Sequence, residues 1–187
     1  MSADIDIDFA DRTKILELIS HTPARQIVDG QVRRHNSGVY VTDIPQDPVN
    51  QCAAIDYQTA EDLGYFKIDF LNVHVYKQIQ DPQHYDQMLA QLPDWSRFNS
   101  DQTWFEQLIH VANHWEVLQK MPEPVDSVPR LAMFLALIRP GKRHLVGLTW
   151  KEVSETIWDQ TKEGYSFKKA HAVSYAVLVT LHMNLLT

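Results

Sequence analysis

The sequence predicts an α+β fold, with a small mixed β-sheet in residues 1–79 and a mostly helical region over residues 80–187. Three observations carry this expectation. Residues 4–9 and 65–71 alternate polar and apolar side chains with the period of a strand. The second half instead spaces its large apolar residues at helical intervals. Apolar residues make up 44% of the 187 and charged residues 22%, an ordinary globular balance that excludes a disordered or low-complexity chain.

The elements follow in order. Asp4, Asp6 and Asp8 alternate with Ile5, Ile7 and Phe9, so the acids share one face and the apolar side chains are expected to face a core. Asp11 or Thr13 can cap a helix bearing Ile15, Leu16, Leu18 and Ile19. Asn36-Ser37-Gly38 predicts a turn, with a strand from Val39 to Thr42. Residues 59–63 form one helical turn stopped by Gly64. From Asp101 to Met121, Trp104, Phe105, Leu108, Ile109, Trp115 and Leu118 predict one long helix. Pro122 and Pro124 break it. A helix capped by Ser127 runs through Ile138 and ends at Arg139-Pro140-Gly141. Thr149 and Glu152 have capping-box spacing, and Ser166 opens a last helix to about Leu186.

The net charge is −7 and unevenly placed. Residues 1–100 hold 15 acids and 8 bases, whereas residues 101–187 hold 9 of each. Between Ser127 and Lys151 stand Arg130, Arg139, Lys142, Arg143 and Lys151 with no acid. An acidic total argues against indiscriminate nucleic-acid binding, while the local basic stretch fits a defined anionic ligand. The single cysteine, Cys52, cannot form an internal disulfide, and residues 1–12 lack the apolar run of a signal peptide. The most apolar stretch, 172–186, carries Ser174, Thr180, His182 and Asn184 and is too short to span a bilayer. A cytoplasmic protein without a membrane partner is expected.

Aspartate is depleted from strands, so three on one face call for a reason. Same-face residues on a strand lie roughly 6.6 Å apart, and Asp69 shares a face with Lys67 in the second alternating segment. Two neighbouring strands can therefore present Asp4, Asp6 and Asp69 together. Clustered carboxylates raise one another's pKa unless a cation offsets them. Two Mg²⁺ ions held by such oxygens suit an in-line displacement at phosphorus. The competing reading is an amphipathic strand with a solvated acidic face.

At these residues the sequence resembles bacterial family C replicative DNA polymerases, the alpha subunit of DNA polymerase III. The segment DIDIDFADR at 4–12 resembles the palm motif that supplies two metal-binding aspartates, and RHNSGVYV at 34–41 resembles the His-x-x-Gly-Val segment that follows it. The stretch at 54–73, ending in KIDFLNV, is similar to the one bearing the third aspartate. LALIRPGK at 135–142 and YSFKKAHAVSYAVL at 165–178 resemble two fingers motifs. The resemblance implies a nucleotidyltransferase-like palm over 1–79 and a fingers-like region over 80–187. It implies a catalytic, metal-binding triad of Asp4, Asp6 and Asp69 with two Mg²⁺ ions, Mn²⁺ being a substitute. It also implies contacts to nucleotide or DNA phosphates from Lys67, Arg139, Lys168 and His171, and with it the basic turn bearing Lys142 and Arg143 favours phosphate contact over a solvated helix C-terminus. Read from the residues, Arg34 and His35 before the glycine turn can meet DNA phosphates, with a solvated loop as the competing reading.

The function so implied is template-directed DNA synthesis on primer-template DNA with dNTPs, by a miniature, phage-like or split polymerase. No Gly-Arg-Gly-Ser triphosphate loop precedes Asp4, so a second polymerase or replisome polypeptide is expected to supply it. The alternative is a catalytically inactive DNA-binding or replisome-assembly subunit on the same scaffold. Elsewhere, His110 and His114 stand four apart on the expected 101–121 helix, a spacing open to a metal but more often a matter of packing.

Overall fold

A computed structural model of the chain describes residues 5–159 and 167–186. Asp4 and Ser166, both singled out above, lie outside the described residues. The chain is mixed α+β and divides into two compact units, Met1–Gln78 and Ile79–Thr187.

In the first unit, β1 (Ile5–Phe9) leads to α1 (Arg12–Leu18), which is capped by Asp11 accepting from the Thr13 backbone N–H at 3.0 Å. A hairpin follows, β2 (Thr22–Val28) and β3 (Gln31–Tyr40), turning through Asp29 and Gly30, both at positive φ. The short pair β4 (Gln46–Asp47) and β5 (Cys52–Ala53) precedes α2 (Tyr57–Asp62), which Asp56 caps. Gly64, at φ +86°, ends α2 and redirects the chain to β6 (Ile68–Asn72). The main sheet has the order β1-β6-β3-β2, with β6 parallel to β1 and antiparallel to β3.

The strand expected at Val39 starts earlier, at Gln31, and the expected turn at 36–38 is a bulge inside β3. Arg25 pairs with Arg34 and Pro23 with Val39, so the step from 23 to 25 on β2 faces the step from 34 to 39 on β3. Residues 35–38 drop out of the pairing with β2, which bends the strand and re-aims side chains, while Gly38 keeps its pairing with Asp69 of β6. A second difference concerns β1. Its apolar face was expected in a core, yet Ile5 is 43% and Ile7 38% exposed. The strand is at the sheet edge, with a neighbour on one side only among the described residues. Its anchorage is at the far end. Phe9 packs on Phe70 with ring centres 5.2 Å apart. The Phe9 carbonyl accepts from the Val73 N–H at 2.8 Å, and Arg12 donates its backbone N–H to Asn72 Oδ1 at 2.7 Å and Nη1 to the Phe70 carbonyl at 3.0 Å. The small core of this unit gathers Ala24, Tyr40, Ile44, Ala53 and Ala60 behind the hairpin.

The second unit is helical: α3 (Pro82–Ala90), α4 (Trp95–Ser100), α5 (Gln102–Phe105), α6 (Trp115–Leu118), α7 (Val128–Leu137), α8 (Trp150–Thr156) and α9 (Lys169–Leu185). α7 packs on α9 around Phe134, Leu135, Ala176 and Val179. The single helix expected over Asp101 to Met121 is instead α5, a 3-10 turn at Ala112–His114, and α6. His110 breaks it at φ +66°. The amide that a longer helix would use is engaged elsewhere: Ile109 N–H donates to His182 Nδ1 on α9 at 3.1 Å. His110 and His114 are thus not partners on one helical face. Thr149 and Glu152 do form the reciprocal capping box that opens α8. No helix among the described residues is long and apolar enough to cross a membrane.

Two outcomes follow for stability. The Tyr40 hydroxyl is buried without a hydrogen-bond partner among the described residues, and burial, with the nearby acids Asp56, Glu61 and Asp69, pushes its pKa up to about 12. Removing an unsatisfied buried hydroxyl relieves its desolvation cost. Tyr40→Phe should therefore hold or raise the unfolding free energy, by up to about 1 kcal/mol in urea titrations. The capping carboxyls of Asp11, Asp56, Asp101 and Glu152 are held below their ordinary range by N–H and hydroxyl donors. Their contribution is fully present above the unfolded value near 4 and is lost as pH falls through the lower folded values. Thermal scans from pH 6 to about 2 should show a falling midpoint over that lower range, a fall weakened when these caps are replaced by Asn or Gln.

Candidate functional site

The acidic site begins with register. In the parallel pairing of β1 with β6, Asp6 lies opposite Asp69 and Asp8 opposite Leu71. Neighbouring strands run about 4.8 Å apart, and partners in register put their side chains on the same face. Asp6 and Asp69 thus stand side by side, and on the other flank Gly38 of β3 pairs with Asp69. Asp8 sits two residues along on the same face. Burial raises the Asp8 pKa first, the Asp6 carboxylate raises it further, and a hydrogen bond with Tyr76 pulls it down.

Asp69 is buried, and each of its oxygens has a partner. Oδ1 accepts from the Ser37 hydroxyl at 2.6 Å, and Oδ2 is paired with the Lys67 ammonium. His35 Nδ1 lies 3.6 Å from Oδ1, but the two are not an ion pair. That nitrogen accepts backbone N–H groups from Gly38 at 2.9 Å and Ser37 at 3.3 Å, so it carries a lone pair and the ring proton is on Nε2. Burial, then the positive charge of Lys67, lower the His35 pKa, opposed by Asp69. His35 is therefore a neutral organiser of the bulge, which aims Ser37 at Asp69, and not a cationic phosphate ligand through Nδ1. Tyr57 packs edge-on against the His35 ring at 5.2 Å and lies 6.0 Å from the Lys67 nitrogen.

Gly38 has a specific reason to lack a side chain. A Cβ there would meet Lys67 Cδ at 2.7 Å, Lys67 Cγ at 3.2 Å and His35 Nδ1 at 3.0 Å. The Lys67 stem crosses β3 at the one residue that leaves room for it. Ser37, Tyr57 and Tyr76 are site residues that alternation alone could not reveal. The only sequence signal for Ser37 was its place in the Asn-Ser-Gly turn.

Arg34 is exposed, but its guanidinium is directed to the loop before β5, donating to the Asn50 carbonyl at 3.3 Å and to Gln51 Oε1.

The remaining expected phosphate contacts belong to the second unit. Arg139 precedes a 3-10 turn at Pro140–Leu145 and lays its guanidinium 4.6 Å from the Phe167 ring centre. Its Nε is buried with no hydrogen-bond partner among the described residues. Phe167 in turn stacks on Tyr175 at 5.4 Å and on His171 at 6.1 Å, which brings Arg139 and His171 to one aromatic cluster. Lys168 is exposed at the N-cap of α9, and Arg143 is exposed in the 3-10 turn. Lys142 must be corrected. It is 2% exposed, and its ammonium donates to the Thr156 carbonyl at 2.6 Å, capping the C-terminal end of α8. A phosphate cannot reach it without unfolding that contact.

The acidic side chains of the sheet face carry oxygen donors, the ligand type that hard divalent ions take. Asp6 and Asp69 offer carboxylates in register on adjacent strands, with Asp8 two residues along on the same face. Among the described residues, no group of three His, Cys, Asp or Glu side chains is gathered closely enough to hold a metal by itself. Neither family models, nor curated proteins, nor solved structures gave a match to this chain.

The Lys142 assignment is testable. Lys142→Met keeps the stem but strands the Thr156 carbonyl, and should lower the unfolding free energy by about 1–3 kcal/mol in denaturant titrations. Arg143→Met, on the exposed side of the same turn, should stay within about 0.5 kcal/mol of the parent.

Proposed function

We propose that this chain is a condensed palm-plus-fingers relative of bacterial family C DNA polymerases, and that it acts in template-directed DNA synthesis. In this reading the first unit is the palm and the second a reduced fingers region. The observation that supports it most is the parallel register that sets Asp6 against Asp69, with Lys67 on the same carboxylate. Adjacent acids on neighbouring strands repel one another, and a bound cation would offset that repulsion. The resemblance in motif order across residues 4–178 adds the polymerase direction.

Asp6 and Asp69, joined by Asp4 from the sequence motif, would hold Mg²⁺, with Mn²⁺ as substitute. Two such ions, when bound, supply a lowered pKa at the primer 3′-hydroxyl and neutralisation of the departing pyrophosphate. The chain's own residues do the rest. Ser37 fixes the rotation of the Asp69 carboxylate through Oδ1. Arg139, with its guanidinium 4.6 Å from the Phe167 ring centre, would offer its charge to a phosphate, and Lys168, His171 and Arg143 would add further basic groups. Arg34 offers a cation to DNA backbone. Another polymerase or replisome polypeptide belongs to this reading as a partner.

A second reading, a DNA-binding or assembly subunit without catalysis, is favoured by one feature: both Asp69 oxygens already have partners. Primer extension with Mg²⁺ separates the two. The protein, alone or with a partner bearing a Gly-Arg-Gly-Ser loop, should extend a primer. Asp6→Asn and Asp69→Asn should each cut incorporation at least about hundredfold while DNA binding persists. Absence of incorporation in both arrangements, together with absence of Mn²⁺ binding, would remove the catalytic reading.

A further inference from the structure

We infer that Lys67 is an exchangeable counter-ion: it competes with a divalent cation for Asp69, and on displacement its ammonium becomes available to a phosphate. Cation uptake and phosphate binding at this site are then coupled through one side chain. The inference rests on the two-metal reading above and specifies the order of events at that site.

Four features carry it. The Lys67 ammonium occupies Asp69 Oδ2 and the Ser37 hydroxyl holds Oδ1, so both oxygens are engaged, and the ammonium is the positive charge that a cation arriving between Asp69 and its register partner Asp6 meets. A lysine is suited to leave. Its charge is a compact point on a flexible four-carbon stem, unlike a forked guanidinium. The stem lies over Gly38, where β3 carries no side chain, so that strand position sets no Cβ against the stem. The Tyr57 ring, 6.0 Å from the nitrogen, offers a π face toward which a displaced ammonium can move. A divalent ion beside Asp69 would repel the ammonium, and a phosphate arriving with that ion would attract it. The exchange needs no bond broken and no co-reactant: one cation replaces another on the same carboxylate oxygen.

The test is Mn²⁺ binding read by the free-ion magnetic resonance signal, with inorganic phosphate as the anionic probe and circular dichroism to verify folding. Wild type should bind Mn²⁺, and Asp69→Asn should lose it. Lys67→Met should bind about tenfold more tightly, because the competitor is gone. Gly38→Ala, which keeps the lysine charge but pushes its stem away, should also tighten binding. Millimolar phosphate should tighten Mn²⁺ binding by wild type and leave Lys67→Met unchanged.

Tighter binding by Lys67→Met alone, without a Gly38→Ala gain or a phosphate effect, would make Lys67 a fixed neutralising charge and overturn the exchange. Should Gly38→Ala fail to fold, the phosphate comparison between wild type and Lys67→Met decides. Equal affinities in wild type, Lys67→Met and Gly38→Ala, with loss in Asp69→Asn, overturn the exchange and leave the two-metal reading standing. No binding by wild type and by Lys67→Met overturns both.

Discussion

The registration of β1 against β6 is the constraint on which the rest of the first unit depends. Side chains alternate along a strand, so a slip by one residue would carry Asp6 away from the face of Asp69. An edge strand with a half-exposed apolar face has little burial to prevent such a slip. The register is instead fixed from its end: the Phe9–Phe70 ring contact and the Arg12 bonds to Phe70 and Asn72 tie the outgoing chain of β1 to the outgoing chain of β6. Arg12 thereby acts on the acidic face from the opposite end of the strand pair, by fixing alignment.

Around Asp69 the charge balance is local. A carboxylate this buried needs compensation, and it receives an ammonium and a hydroxyl from two different strands' surroundings. The histidine beside it contributes no charge. Its role is to accept two backbone N–H groups that the bulge would otherwise leave unsatisfied. In the second unit the same demand is met differently. Lys142 is buried because the last carbonyls of α8 require a donor, whereas Arg139 spreads its charge over an aromatic ring.

The fold class and the acidic face were legible because alternation and capping are local signals. The strand at residues 5–9, the stop at Gly64 and the Thr149–Glu152 box depend on neighbours a few positions away. What was not legible depends on distant partners. The helix expected across 101–121 fails because His182, more than seventy residues on, takes the Ile109 amide. Lys142 reads as a surface cation in a basic run until Thr156 draws it inward. Ile5 and Ile7 have the pattern of a core, but only sheet order reveals that β1 has one neighbour. β2 escaped notice because Pro23, Arg25 and Gln26 mask its alternation, and the bulge at 35–38 has the composition of a turn.

The excursion in β3 between Arg34 and Val39 separates two jobs that most strands must perform at once. Pairing on either side of it fixes the hairpin, and the residues that leave the ladder are released from that duty. His35 and Ser37 use that release on the site, the ring taking the amides of residues 37 and 38 and the hydroxyl reaching Asp69, while Gly38 keeps its pairing with β6. Evolution can therefore retune what surrounds the central acid as a matter of loop chemistry, while the architecture that carries it stays still.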